Sequence, residues 1–160
     1  MIDGKYEEAI VQSKRAVELD PLALGTRCNL MSWYYCVRRF KDAEDEAYRI
    51  LAQDSTWTPA IDHLALITEH EGRYDEARKW CIKSYRRYGM IDAKTDPPVE
   101  WEKFRKWRFA NFGKDNPFLM LAEGDKEGAL TLLVKLVANR DQTILTLFYP
   151  DWDPLRSDPR

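Results

Sequence analysis

The chain has 160 residues, of which 44% are hydrophobic and 32% are charged, and its formal net charge is -2. This length suggests one domain or one repeat array, and the composition is typical of neither a membrane protein nor a disordered one. The near-neutral charge gives no global reason to expect a nucleic-acid partner. The longest mainly apolar run, Leu130 to Ala138, is interrupted by Lys135 and is too short to span a bilayer.

A six-residue pattern recurs at even spacing in the first part of the chain. It reads GKYEEA at residues 4–9, RRFKDA at residues 38–43 and GRYDEA at residues 72–77. In each copy a basic residue precedes an aromatic residue, and an acidic residue precedes an alanine. The middle copy has Arg38 where the other two have glycine. Four matching columns at this period, roughly 34 residues, indicate an array of helical repeats.

Each copy of the pattern begins a predicted helix, and the segment between two copies is long enough for another. The residues that share one face of the first helix are Tyr6, Ala9, Ile10, Ser13, Ala16 and Val17. The three helices end at residues 19–21 (LDP), at residues 52–56 (AQDST) and at Tyr88-Gly89, since proline and glycine both favour a helix end. Leu22 to Val37 and Pro59 to Glu71 hold the intervening helices. We therefore expect helix pairs, with the aromatic residue of the pattern between the helices of a pair.

These residues resemble the second-helix signature of the tetratricopeptide repeats, G-x-Y-x-x-A followed by a small residue and a turn proline. The resemblance covers residues 4–89, and the best copies are Gly4 to Pro21 and Gly72 to Gly89. It departs from the family pattern at Met31, where a small residue is usual, and at Ser55, which replaces the proline. The resemblance implies an all-α fold, a right-handed α-solenoid of antiparallel helix pairs with about three and a half repeats and an inserted helix.

The first repeat lacks its first helix, because the pattern begins at residue 4. We therefore expect residues 1–160 to be part of a longer array or of a multidomain parent. We also expect Tyr6, Ile10 and Val17 to lack cover, so that the chain self-associates through this uncapped repeat end.

The repeat period breaks after the third copy. A weaker copy, GDKEGA at residues 124–129, follows the third at a longer interval, which indicates an insertion. We expect the inserted helix to start at the prolines after Asp96 and to stop at Gly113, and a short helix to run from Asn116-Pro117 to Gly124. A last helical turn is expected in Gln142 to Phe148. The resulting division is repeats in 1–90, an inserted aromatic and basic helix in 91–116, a degenerate last repeat in 117–148 and an extended, proline-rich tail in 149–160.

The end of the chain is similar to the closing segment of repeat regions in bacterial signalling proteins, such as transcriptional regulators, nucleotide cyclases and serine/threonine kinases. The resemblance rests on GDKEGAL and on DWDPLRSDPR at residues 151–160. It implies a regulatory or sensor repeat domain of a larger signalling protein, as the alternative to an interaction scaffold.

In tetratricopeptide arrays the first helix of each unit lines a concave groove, and this implies a set of peptide-binding residues. They are Cys28, Asn29, Ser32, Tyr35, Asp62, His63, Leu66, Glu69 and His70. Such a groove is mildly acidic, so we expect a basic or polar peptide. Family members that bind acidic C-terminal peptides need basic residues where this chain has Pro59 and His63. The leading function is therefore a scaffold that binds a protein or peptide partner in the groove.

The residues predict no catalytic, cofactor or metal site. His63 and His70 are seven residues apart, which on a helix is about 10.5 Å, and the sequence has no phosphate-binding glycine loop and no G-x-S-x-G motif. Residues 101–114 combine aromatic and basic side chains. This combination suits single-stranded nucleic acid or a membrane surface, but at helical spacing it favours packing with the bases facing solvent. We expect neither a nucleic-acid nor a membrane partner. Three cysteines at irregular spacing indicate reduced thiols and a cytoplasmic location.

Overall fold

The computed structural model describes residues 5–139, 141, 149–156 and 158, and among these residues the regular structure is entirely helical. The α-helices are α1 (Lys5–Leu19), α2 (Leu24–Cys36), α3 (Phe40–Gln53), α4 (Thr58–His70), α5 (Tyr74–Arg87), α6 (Trp101–Phe112), α7 (Pro117–Ala122) and α8 (Lys126–Ala138). Short 3-10 helices form at Gly113–Asp115 and Pro150–Leu155. The expected all-α class is confirmed. The turn expected in Gln142 to Phe148 lies outside the described residues.

The chain divides into two compact units, Met1–Asp96 and Pro97–Arg160. The first unit holds α1 to α5, and each of these helices packs against the next one along the chain. In addition, α2 packs against α4. The second unit holds α6 to α8 and both 3-10 helices, with α7 packed against α6 and α8.

The helices of the first unit repeat with the period of the sequence. Helices α2 and α4 both have 13 residues, helices α3 and α5 both have 14 residues, and the members of each pair start one repeat period apart. The residues before α3 and α5 have nearly the same backbone angles, φ -81° and ψ 63° at Arg39 and φ -80° and ψ 62° at Arg73. The chain therefore follows the same backbone path twice.

The turn before α3 and the turn before α5 each contain a residue in the left-handed backbone conformation. Gly72 has φ +72°, and Arg38, its counterpart in the preceding repeat, has φ +60°. The backbone nitrogens of Arg39 and Arg73 bond to the carbonyls five residues earlier, those of Tyr34 and Thr68, which closes the same helix C-cap in both places. Glycine adopts this conformation without strain and arginine does not. Arg38 therefore makes its turn less stable than a glycine at the same position would.

The core of the first unit lies along the contacts between neighbouring helices. Small residues stand where helices approach closely, and Ala43, Ala47 and Ala77 are fully buried. Fully buried isoleucines and leucines fill the space beside them: Ile50, Ile61, Leu64 and Ile67. Burying one such side chain stabilises the fold by about 1.5–3 kcal/mol.

The predicted inner face of α1 is confirmed, but the expectation that Ile10 lacks cover is wrong. Ile10 is 2% exposed, because α1 packs against α2, and the ring of Tyr6 lies 6.1 Å from the ring of Trp33 on α2. The apolar side chains that remain exposed on α1 and in the following turn are Val11, Leu19 and Leu22.

In the second unit a row of aromatic rings runs along α6. The ring centroids of Trp101 and Phe104 are 5.6 Å apart, those of Phe104 and Trp107 are 5.8 Å apart, and Trp107 meets Phe112 at 5.7 Å. The helix stops before Gly113 as expected. It starts at Trp101 rather than at the prolines, because the chain is still extended at Glu100 (φ -67°, ψ 130°).

The helices that follow in the second unit start at side-chain caps. Asn116 accepts a hydrogen bond from the backbone of Leu119, and Asp125 accepts one from the backbone of Gly128, so both α7 and α8 have a capped first turn. Where we expected an extended segment, Pro150–Leu155 forms a 3-10 helix. Trp152 is 3% exposed and its ring lies 4.5 Å from the ring of Phe118, which explains why this segment folds back onto the unit.

Candidate functional site

The sequence repeat places α2 beside α4. The hydroxyl oxygen of Ser32 on α2 lies 3.3 Å from Nε2 of His63 on α4, and the rings of Tyr35 and His63 meet edge to face at 5.5 Å. Side chains from two helices that are separated by a third in sequence therefore meet directly. The groove residues predicted from the sequence lie on these two helices.

Two of the predicted groove residues lie beneath the surface. Tyr35 is fully buried and His63 is only 6% exposed. Nδ1 of His63 is 2.9 Å from the carbonyl oxygen of Pro59, which only accepts, so the geometry assigns the proton to Nδ1. In the neutral ring Nε2 then accepts from the hydroxyl of Ser32. These residues hold α2 and α4 together and support the surface above them.

An aromatic cluster closes one end of this surface. The rings of Phe40 and His70 are stacked at 5.5 Å with an interplanar angle of 20°, and Tyr35 contacts Phe40 at 5.5 Å and His70 at 5.9 Å. Phe40 is the aromatic residue of the second pattern copy, and its contacts with α2 and α4 agree with the expected position between helices. Tyr74, the aromatic residue of the third copy, is 46% exposed, so the expectation is wrong for that copy. His70 remains exposed and forms the outer side of the cluster.

The other predicted groove residues reach the surface. We call this surface the α2–α4 face, and it consists of Cys28, Asn29, Ser32, Asp62, Leu66, Glu69 and His70, of which Asn29 and His70 are exposed and the rest half-buried. Burial raises the pKa of the Cys28 thiol, and the negative charge of Asp62 raises it further. Cys28 on α2 and Asp62 on α4 are one repeat period apart, so they occupy the same place in successive repeats.

Two residues that were missed in the sequence hold Asp62 in place. They are Ser84 on α5 and Tyr88 at the C-terminal end of that helix. Oδ1 of Asp62 accepts a hydrogen bond from the hydroxyl of Ser84 at 2.5 Å, and its Oδ2 accepts one from the hydroxyl of Tyr88 at 2.8 Å. Burial, together with the hydrogen bond to Asp62 and its negative charge, raises the pKa of Tyr88 to about 12. The four-residue spacing of Ser84 and Tyr88 places both hydroxyls on one side of the helix end, and this spacing was the available signal.

The charge of Asp62 is compensated differently from that of other acids in the first unit. Glu46 of α3 pairs with Arg27 at 2.6 Å, and Glu44 of α3 pairs with Arg73 at 2.7 Å. Within the part of the chain that the structure describes, the hydrogen-bond partners of Asp62 are neutral hydroxyls. The carboxylate of Asp62 therefore keeps its negative charge at the α5 edge of the α2–α4 face, where the last turn of α5 also carries the basic residues Arg86 and Arg87.

The aromatic and basic stretch at 101–114 uses some of its charge for packing. Arg108 is 4% exposed, with its guanidinium 5.4 Å from the ring centroid of Trp101 and 6.0 Å from that of Phe104. Arg105 pairs with Glu123 at 3.1 Å. These contacts favour the packing interpretation. Arg105 and Arg108, two of the five basic side chains in the stretch, contact other residues of the second unit.

Neither a metal centre nor a membrane span is found in the described ranges. No group of three or more histidine, cysteine or acidic side chains there is arranged to hold a metal ion. No helix formed by these residues has both the length and the apolar character needed to cross a bilayer. No protein-family model matches the chain, and no curated protein matches it in sequence.

Proposed function

We propose that the chain is a scaffold of tetratricopeptide-type repeats that binds a peptide or protein partner on the α2–α4 face. The observation that carries this proposal is the contact between Ser32 and His63. It joins two helices of equal length from successive repeats, and most of the exposed or half-buried side chains of the α2–α4 face are polar.

The α2–α4 face is preformed, which suits the binding of an extended peptide. Tyr35 and His63 are buried under it and fix the distance between its two helices, so little ordering is required when a partner binds. On α2 the residues Gly25, Cys28 and Ser32 are all short, and nothing lies within 4 Å of the place that a side chain at Gly25 would occupy. These short side chains leave space beside α2 for the main chain of a partner.

An unbiased array of fluorescein-labelled 12-residue peptides tests this proposal, with affinity measured by fluorescence polarisation. Some peptides should bind, and Asn29→Trp, which places a large ring on the α2–α4 face, should weaken that binding at least tenfold. Gln12→Trp is the matched control, because Gln12 is equally an exposed polar residue in a helix but lies on α1. If no peptide binds, or if both variants bind as the wild type does, the proposed function is wrong.

A further inference from the structure

Asp62 and Tyr88 form a corner at the edge of the α2–α4 face that has the features of a cation site. The carboxylate of Asp62 is half-buried, and Tyr88 is 59% exposed although its hydroxyl is bonded to Asp62. A negative charge and an open aromatic ring thus stand side by side. We call this pair of residues the Asp62–Tyr88 corner.

The hydrogen bonds at this corner orient the carboxylate without consuming its capacity to bind a cation. Each carboxylate oxygen can accept about two hydrogen bonds, and each oxygen of Asp62 accepts one from a hydroxyl of Ser84 or Tyr88. The hydroxyls hold the carboxylate in one position, and because they are neutral they leave its charge in place. A preoriented carboxylate of this kind forms charge-assisted hydrogen bonds, which are about twice as strong as neutral ones.

The exposed ring adds a second attraction for the same kind of group. The face of an aromatic ring carries partial negative charge, so a cation near the ring of Tyr88 is stabilised by it. A guanidinium group is planar, bonds a carboxylate with two donors and stacks on aromatic rings. An ammonium group carries the same charge but is not planar, so it lacks the paired donors and the stacking surface. The corner therefore fits an arginine side chain better than a lysine side chain.

We infer that the Asp62–Tyr88 corner selects the partner by binding an arginine side chain of a peptide that lies along the α2–α4 face. This inference rests on the proposed function, since it assigns a chemistry to the partner of that same face. Asp62 supplies the opposite charge, Tyr88 supplies the stacking surface, and Ser84 is a positioning residue that acts through Asp62.

The test uses the labelled peptides that bind the wild-type chain in the array. Those peptides should be enriched in arginine, and replacing the arginine with citrulline, which keeps the shape and removes the charge, should weaken binding about tenfold or more. Asp62→Asn should weaken the arginine peptides by a similar factor and leave the affinity of the citrulline peptides unchanged. Tyr88→Leu, which keeps the carboxylate, should weaken the arginine peptides severalfold. Asp75→Asn is the matched control, because it removes one negative charge from an exposed position at the start of α5.

The outcomes separate this inference from the proposed function. If Asn29→Trp abolishes binding but the bound peptides lack arginine, the face binds peptides and the arginine inference is wrong. The inference is also wrong if Asp62→Asn weakens arginine and citrulline peptides equally, because the residue then acts through the fold. Thermal unfolding of every variant accompanies the binding data, and Tyr88→Leu provides a second route to the answer if Asp62→Asn unfolds. A wild-type chain that binds no peptide overturns both proposals.

Discussion

The two equivalent turns at Arg38 and Gly72 allow a test of the repeat geometry through stability. Both positions have positive φ, +60° and +72°, and both close the C-cap of a 13-residue helix. If the two repeats follow the same backbone path, glycine should be the preferred residue at both positions. Arg38→Gly should therefore stabilise the protein, and Gly72→Ala should destabilise it.

The magnitude follows from two opposing effects. The left-handed conformation destabilises a residue that has a side chain by roughly 1–2 kcal/mol. Glycine, in contrast, loses more conformational entropy on folding than alanine does, which costs about 0.5–1 kcal/mol. The difference favours glycine by about 1 kcal/mol. At Gly72 an added Cβ would have its nearest neighbour, Cζ of Tyr74, at 4.0 Å, so the cost there comes from the backbone conformation and not from a clash.

Urea unfolding, monitored by circular dichroism, measures the difference in stability between glycine and alanine at three positions. Alanine and glycine are compared at residue 38, at residue 72 and at Gln12, an exposed position inside α1. Comparing alanine with glycine at residue 38 removes the contribution of the arginine side chain itself. Glycine should be better by about 1 kcal/mol at residues 38 and 72, and worse by a similar amount at Gln12. A preference for alanine at either residue 38 or residue 72 would refute the equivalence of the two turns.

Three further predictions address single contacts. Because the pKa of Tyr88 is raised to about 12 from an ordinary value of 10.0, its contribution to stability is full below pH 10 and is lost as the pH rises towards 12. An ultraviolet titration of the wild type against Tyr88→Phe measures this, and ionisation of Tyr88 near pH 10 would contradict it. Arg73→Met should cost about 1–3 kcal/mol, because it removes the 2.7 Å partner of the buried carboxylate of Glu44 and leaves only the more distant Lys41, at 3.8 Å, as an ion-pair partner within the described residues. Glu44→Gln in the same chain should recover part of that loss in urea unfolding, and no recovery would count against the pairing. Ile61→Ala should cost about 2–5 kcal/mol, because Ile61 is fully buried, whereas the exposed Leu19→Ala should change stability by less than about 0.5 kcal/mol in the same assay.

The repeat and its helices could be predicted from the sequence, because they depend on local patterns. The spacing of the pattern copies located the starts of α3 and α5, and the helical periodicity of α1 identified its buried face, including Ile10. Patterns of this kind report which side chains share a face. They do not report whether another helix covers that face, which is why Ile10 was expected to lack cover.

At the candidate site, too, local sequence patterns did not predict which side chains are covered by a neighbouring helix. The resemblance to tetratricopeptide repeats implied groove positions for Tyr35 and His63, but the depth of these side chains depends on rings that meet across α2 and α4, at 5.5 Å. Ser84 and Tyr88 were missed because their role depends on Asp62, which lies 22 and 26 residues earlier in the chain. Depth and partners of this kind arise from tertiary packing, which a local pattern does not contain.

The central claim is that the α2–α4 face binds a peptide, and nuclear magnetic resonance tests it most directly. The isotope-labelled chain is titrated with a peptide selected from the array, and the backbone amide shifts are followed. We expect shifts concentrated at the α2–α4 face, including Asn29, Leu66 and His70, with little change at exposed positions of α1 such as Gln12. Shifts concentrated on α1 or on the second unit, with α2 and α4 unchanged, would contradict it.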